Sequence, residues 1–475
     1  MTVKKAKSST APNSRGQPRT IPPLYNHQVR DVQFCLDNPR VMDLSDPGCG
    51  KTRVQIEAFA IRLKKGGGKA LVIAPKSLLR SAWENDFNKF APQVVVSVCP
   101  ANKREEGFAR TADVYVTNID AAIWLAKQKP AFFKGFDTLI IDEITAFKHF
   151  TSKRSRAAAK IVKYFERRYG MTGTPNSNTI ADIWHPFYLI DDGKRLGRSF
   201  YHFRSSVCVP KQVGPQPNMV KWEEKDGAEA AVGGLIKDMV VRNVFEECHD
   251  IPANTMNSVP FFMTPKQSKA YQQMEKSAIT LLNNKEIVSA VNAAVVAGKL
   301  LQIASGAVYG DDLDGDYASI DTERYELVCD LIEERTNPCV VFFNWKHQKA
   351  GLIAEFEKRG ITFTVIDGTV SDNNRNTSVQ HFQAGFYHVL LAHPASAAHG
   401  LTLTKATTTI WASPTYNLEH FTQGNRRIYR AGQNQKTETI CILAKGTIEE
   451  HVFSILTKKG IRQLDMLSIL KELST

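Results

Sequence analysis

Short apolar runs separated by stretches of helical spacing recur in two blocks of this chain, and that repetition limits the fold more than any other feature. In the first block, Ala70 to Ala74, Val94 to Val98, Val114 to Val116 and Thr138 to Ile141 are each too short for a buried helix. In the second, Cys339 to Phe343, Thr362 to Ile366, His388 to Ala392, Thr408 to Ala412 and Thr439 to Leu443 follow the same rhythm. Strands that are apolar on both faces and linked by helices belong to βαβ units, whose crossovers bury a parallel sheet between helical layers. The expected fold class is α/β, with two lobes, each a parallel sheet flanked by helices, joined by a partly helical insertion and linker.

Residues 45–52 read SDPGCGKT, between the apolar Val41 to Leu44 and the helical spacing of Arg53 to Leu63. Strand, glycine-rich turn and helix N-terminus together aim backbone N–H groups and the helix dipole at a phosphate chain. Asp46, Pro47, Gly48, Cys49, Gly50, Lys51 and Thr52 are the expected ATP-binding loop, with Lys51 reaching the β and γ phosphates and Thr52 holding magnesium. Ser45 stands where the Walker A pattern has glycine, a small residue that still permits the tight turn. Phe136 to Ile141 is an apolar run ending in Asp142 and Glu143, as a buried strand ends when it presents carboxylates beside such a loop. Asp142 is expected to bind the magnesium and Glu143 to orient and deprotonate the attacking water. The expected cofactors are ATP and Mg2+.

Further segments follow in a fixed order: Leu24 to Gln28 (LYNHQ), Leu71 to Phe87 (LVIAPKSLLRSAWENDF), Val116 to Ile119, and Met171 to Asn178 (MTGTPNSN). Then come Met239 to Ile251, Val259 to Tyr271, Leu300 to Ser305 (LLQIAS), Val340 to Gln348 (VVFFNWKHQ), Ile366 to Thr369 (IDGT), His393 to Thr404 and Gln423 to Gln433 (QGNRRIYRAGQ). In this series the chain resembles the Swi/Snf-related ATPases of the superfamily-two, DEAD/DEAH-like helicases, in a compact form similar to viral or bacterial members. The likeness runs from about Leu24 to Val452. It implies that the two lobes are RecA-like, that Gln28 reads an adenine edge, and that Gly400 and Gln423 belong to the ATP site. It implies a coupling role for Thr172, Gly173 and Thr174, and a nucleic-acid groove lined by Lys76, Thr117, Asn118 and Asn344. Met239 to Tyr271 resembles the family's linker, in which an Arg-bearing helix is followed by a strand and by a helix opening at Pro265. Arg427 and Arg430 stand three apart, a spacing that puts both on one face of a helix. The resemblance makes them catalytic arginines that neutralise charge on the transferring phosphoryl group. Two departures stand out: Ile144 and Thr145 replace the family's usual Ala-His, and Arg426 occupies a position where an acid is usual.

The expected domain order is a flexible basic tail over 1–20, an ATP-binding lobe over 21–192, an insertion and helical linker over 193–320, and a helicase lobe over 321–475. The tail holds five basic side chains and no acid among Ser, Thr, Pro and Gly, and cannot bury enough apolar surface to fold alone. A formal net charge of +13 favours polyanionic partners. The expected partner is nucleic acid, double-stranded DNA gripped through its phosphates with little sequence readout; protein partners are left open. No apolar run reaches bilayer-spanning length, no signal-peptide core follows the first lysines, and the eight cysteines are scattered without a CxxC pair. A soluble, intracellular protein with no membrane partner follows, in the cytoplasm of a bacterium or of a virus-infected host. The function these readings support is an ATP-driven duplex-DNA translocase or remodeller. A strand-separating DNA or RNA helicase is the alternative, although no wedge hairpin is recognisable, and a non-catalytic nucleic-acid scaffold is the alternative of another class.

Overall fold

The computed structural model describes residues 10–12, 18–173, 179–212, 220–248, 252–283, 290–309, 317–397 and 401–457. The chain divides into two compact units, Met1–Asp250 and Ile251–Thr475.

The first unit is built on seven strands: β1 (Arg40–Asp43), β2 (Lys69–Ala74), β3 (Val96–Cys99), β4 (Val114–Asn118), β5 (Phe136–Asp142), β6 (Arg167–Met171) and β7 (Val240–Val241). Their order across the sheet is β7–β1–β6–β5–β2–β4–β3, and every neighbouring pair is parallel. Alternation within single strands feeds two cores. Leu71, Ile73, Leu139 and Ile141 pack with Trp184 and Phe187 on one face, while Ala70, Val72, Val116 and Ile140 pack with Val54, Ile56 and Phe59 on the other. The last three lie on the helix Lys51–Lys64 that leaves the phosphate loop. Because the strands run one way, the candidate motifs that follow them gather at a single edge, where open α/β sheets bind ligands.

The second unit repeats the plan with β8 (Asn254–Phe261), β9 (Cys339–Phe342), β10 (Phe363–Ile366), β11 (Val389–Ala392), β12 (Thr408–Trp411) and β13 (Thr437–Ala444). The order is β8–β13–β12–β9–β11–β10, again all parallel. At its centre the buried Arg324 donates to the carbonyls of Ala304 (2.7 Å), Ala412 (2.9 Å) and Ile442 (3.4 Å) and pairs with Glu449 at 2.9 Å. Glu449 is fully buried, which pushes its carboxyl pKa up; the Arg324 charge and the Ala444 N–H oppose that shift.

Several expectations change here. Segment 193–320 forms no body of its own. Leu196, Phe203, Val207, Val232, Ile236 and Met239 join the first core and β7 extends the first sheet, whereas β8, Tyr271, Leu300 and Leu301 belong to the second unit. Their apolar faces are covered by the nearest sheet, not by one another. Arg242 follows β7 in a loop and lies on no helix; a single helical turn, Phe245–Cys248, comes after it. Cys208–Gln212 and Val220–Glu224 form an antiparallel hairpin that the sequence hides, because VPKQ is exposed, KWEE is mostly half-buried, and neither shows apolar alternation. Within the expected tail, Thr10–Pro12 pairs with Pro18–Thr20, a backbone ladder that calls for no apolar core.

Candidate nucleotide site

The phosphate loop is shaped by glycines at left-handed backbone angles, Gly48 at φ 96° and Gly50 at φ 80°, which only glycine adopts freely. Side chains close both positions as well. A Cβ on Gly48 would come within 2.7 Å of the Phe245 ring, and one on Gly50 would displace the Gln28 amide. The helix then opens at Lys51 with no side chain capping its first turn, leaving the N-terminal amides and dipole directed at an incoming anion. Lys51 Nζ donates to the loop carbonyls of Ser45 (2.6 Å) and Asp46 (3.2 Å), the positions that phosphate oxygens would replace. Gln28 folds onto the same loop: Nε2 donates to Cys49 O at 3.4 Å and Oε1 accepts from the Tyr25 N–H at 3.1 Å.

Asp142 ends β5 and is buried. Its Oδ2 accepts from the indole N–H of Trp83 at 3.0 Å and its Oδ1 from the Glu143 N–H at 3.1 Å. Burial raises the carboxyl pKa; the Trp83 hydrogen bond and the nearby Lys51 charge oppose it. Glu143 lies at φ 51°, a left-handed conformation that costs a non-glycine residue roughly 1–3 kcal/mol and must be imposed by its surroundings. One visible constraint is Thr172, whose hydroxyl donates to Glu143 Oε2 at 3.3 Å while its N–H donates to Asp43 O at 3.0 Å. Gly173 lies so close to Pro47 that a Cβ would approach to 2.8 Å, so the segment after β6 rests on the phosphate loop. Thr174 lies outside the described residues. A hydroxyl (Thr52) and a carboxylate (Asp142) are hard oxygen donors of the kind magnesium accepts alongside phosphate and water, so the residues present fit that ion. Ile144, at a family departure, is fully buried against the Gly170 backbone.

What braces this loop comes from the far end of the unit and carries no sequence signal. Ser45, the residue in the glycine position, accepts with its hydroxyl from both Asn243 N (3.1 Å) and Asn243 Nδ2 (2.9 Å), and Nδ2 also donates to Asp31 Oδ2 at 2.6 Å. Arg242 pairs with Asp46 at 3.0 Å, and Phe245 N–H donates to Asp46 Oδ2 at 3.2 Å. Asp43, fully buried beside Lys51 and Asp142, is a further carboxylate that motif reading passed over; desolvation raises its pKa.

The expected groove residues fare unequally. Lys76 is exposed just beyond β2. Thr117 is fully buried and its hydroxyl donates to Cys99 O at 2.8 Å, so that side chain offers nothing to a strand at the surface. Asn118, also buried, accepts from Arg104 at 2.8 Å. Asn344 follows β9, donates to Ser413 O at 3.0 Å and lines a cleft of about 790 Å³ with Trp345, Lys349, Asp367 and His393. Gly400 lies outside the described residues, and the buried Gln423 donates to Glu419 at 2.9 Å. Arg427 and Arg430 do not share a helix face: the helix Leu418–Asn425 ends before them and they sit in the following turns. They converge nonetheless, both donating to Leu401 O, at 3.3 and 2.9 Å.

A phosphate loop, an Asp-Glu pair at the end of a buried strand of the same sheet, and a second parallel-sheet unit bearing convergent arginines define a helicase-type ATPase. Residues 28–304 match the SNF2-related domain and residues 323–432 the helicase conserved C-terminal domain. The chain belongs to the SNF2-related family. It is 29% identical to "Putative protein p41" of Acyrthosiphon pisum secondary endosymbiont phage 1, over 95% of this chain and 98% of that protein. It is 24% identical to the putative ATP-dependent helicase/translocase YwqA of Bacillus subtilis, over 87% of this chain but only 45% of the relative, less than half its length. Among solved structures, the Sulfolobus solfataricus SWI2/SNF2 ATPase core in complex with dsDNA aligns over 96% of this chain and 97% of that one, at 20% identity and a TM-score of 0.43.

Proposed function

We propose that this chain is a translocase on duplex DNA, driven by ATP hydrolysis. The observation that carries the reading is the Thr172–Glu143 hydrogen bond at 3.3 Å, which ties the water-activating acid to the segment after β6 and hence to whatever moves that segment. In the proposed cycle Lys51 leaves the Ser45 and Asp46 carbonyls for the phosphate chain, Glu143 takes the proton of the attacking water, and Arg427 and Arg430 offset charge on the transferring phosphoryl group. Magnesium, held by Thr52 and Asp142, would supply charge neutralisation across the β and γ phosphates. Lys76 and its neighbours would grip strand phosphates, so binding should weaken steeply with salt. The phage and bacterial sources of p41 and YwqA support a setting inside a bacterium or a virus-infected host.

Strand separation is the second reading, favoured by the hairpin Cys208–Gln212/Val220–Glu224, whose first strand is exposed from Val209 to Gln212. Steady-state ATP hydrolysis measured without nucleic acid and with duplex DNA, single-stranded DNA or RNA separates the two, with Glu143→Gln as background. Stimulation by duplex that vanishes in the variant supports translocation. Stronger stimulation by single strands hands the case to the helicase, and equality of wild type and variant under every condition leaves only a scaffold.

A further inference from the structure

We propose that Trp83 is a positioning residue for the magnesium-holding carboxylate, and that it links strand contact along residues 71–87 to hydrolysis. The inference rests on the ATPase reading above and deepens it. A carboxylate removed from water needs donors for its oxygens. Asp142 finds one in its own neighbour, the Glu143 N–H, and the other in an indole contributed from 59 residues upstream, at 3.0 Å. The direction of Oδ2 is therefore set by a different element from the one that carries the acid.

The indole has little freedom to move alone. Trp83 is fully buried and packs on Phe87, with ring centroids 6.2 Å apart. Phe87 in turn meets Phe59 edge-on at 6.4 Å, and Phe59 lies on the helix that opens at Lys51. Trp83 sits in a π-helical turn, Leu79–Glu84, after which the Asn85 N–H is shared between Arg80 O and Ala82 O. Such widened turns are rare overall and frequent at functional sites; tightening one to α-helix would rotate the side chains it carries. The exposed Lys76 lies in the same segment, between β2 and this turn. A pull on that segment reaches the indole N–H, and through it the orientation of Asp142. An indole that merely satisfied its own N–H in a core would leave metal binding and nucleic-acid stimulation untouched when replaced by phenylalanine.

The test compares wild type with Trp83→Phe, which keeps an aromatic ring and removes the N–H. Mn2+ binding to the ADP complex is read by electron paramagnetic resonance, alongside ADP binding without metal, thermal stability and duplex stimulation of ATPase. The expected result is a loss of Mn2+ affinity of about 10-fold, as when partners of metal ligands are removed, with metal-free ADP binding kept and duplex stimulation reduced. Unchanged Mn2+ affinity in a folded variant overturns the proposal and leaves the ATPase reading standing. A wild type that binds no Mn2+ with ADP sinks the ATPase reading itself, and this proposal with it. If the variant does not fold, the wild type still decides through its six 15N-labelled indoles. One slowly exchanging N–H signal, absent or displaced in Asp142→Asn, should shift when Mg2+ is added to the ADP complex, and no such shift overturns the proposal.

Discussion

Glu143 and Ser45 show how single residues in this site are held from elsewhere. With Glu143 at φ 51° and its carboxylate accepting from Thr172, the Gln variant keeps an oxygen for that hydroxyl and loses only its basicity. Hydrolysis should fall about 100-fold or more while nucleotide binding persists, checked by phosphate release beside equilibrium ATP binding. Ser45→Gly supplies the glycine of the Walker A pattern yet strips the acceptor from two Asn243 donors in a buried setting. Urea unfolding should show a loss of about 1–3 kcal/mol; an unchanged midpoint would mean that the Asn243 bridge bears no load. At this scale the sequence was informative where chemistry is contiguous, as in residues 45–52 and 142–143, and silent where it is not. The partner of Ser45 lies 198 residues away, and Trp83 reads as ordinary core.

At the scale of elements, the second unit is fastened by buried polar groups that no periodicity displays. Arg324 serves three backbone carbonyls and Glu449 at once. Removing only the acid, as in Glu449→Leu, strands a buried guanidinium and should cost about 3–5 kcal/mol in the unfolding of this unit. His347 does similar work at the start of the helix Lys346–Arg359, its ring 2.9 Å from Ser305 Oγ and 3.1 Å from Tyr309 Oη. Burial lowers its pKa from 6.5 to about 4, and His185 in the first unit is lowered likewise. The folded state thus binds fewer protons than the unfolded chain between those values. Stability is whole above the upper pKa and drains away as pH falls towards the lower, at about 1.4 kcal/mol per unit for each ring. Calorimetry across that window should show the decline, and His347→Gln should lessen the part due to the second unit, to which His393 and His420, also lowered by burial, still contribute. Strands such as β2, β4, β5, β9, β11 and β12 and their parallel sense were legible because each is apolar on both faces; β8, mostly exposed, shows no such run. The helix expected under Arg427 and Arg430 was not, because a three-residue spacing fits a pair of turns equally well.

At the scale of the whole chain, two compact units predict two unfolding steps. ADP with magnesium should raise only the one belonging to Met1–Asp250, and Glu449→Leu should lower only the other, so a scan of wild type and variant with and without ligand assigns both. A single step that moves with either change would refute that independence. Two α/β lobes were foreseeable from the repeated rhythm of apolar runs; the boundary between them was not, since an insertion and helical linker expected over 193–320 does not say which sheet adopts its helices and strands. The late arrival of β7 and Asn243 in the chain also bears on how genes of this kind can be shuffled. A crossover near residue 192 would inherit a phosphate loop without the strand that flanks it and without the amide that holds Ser45. One between Cys248 and Asn254 would hand on each sheet with all its strands, making that short stretch the natural seam for exchanging one half of the gene.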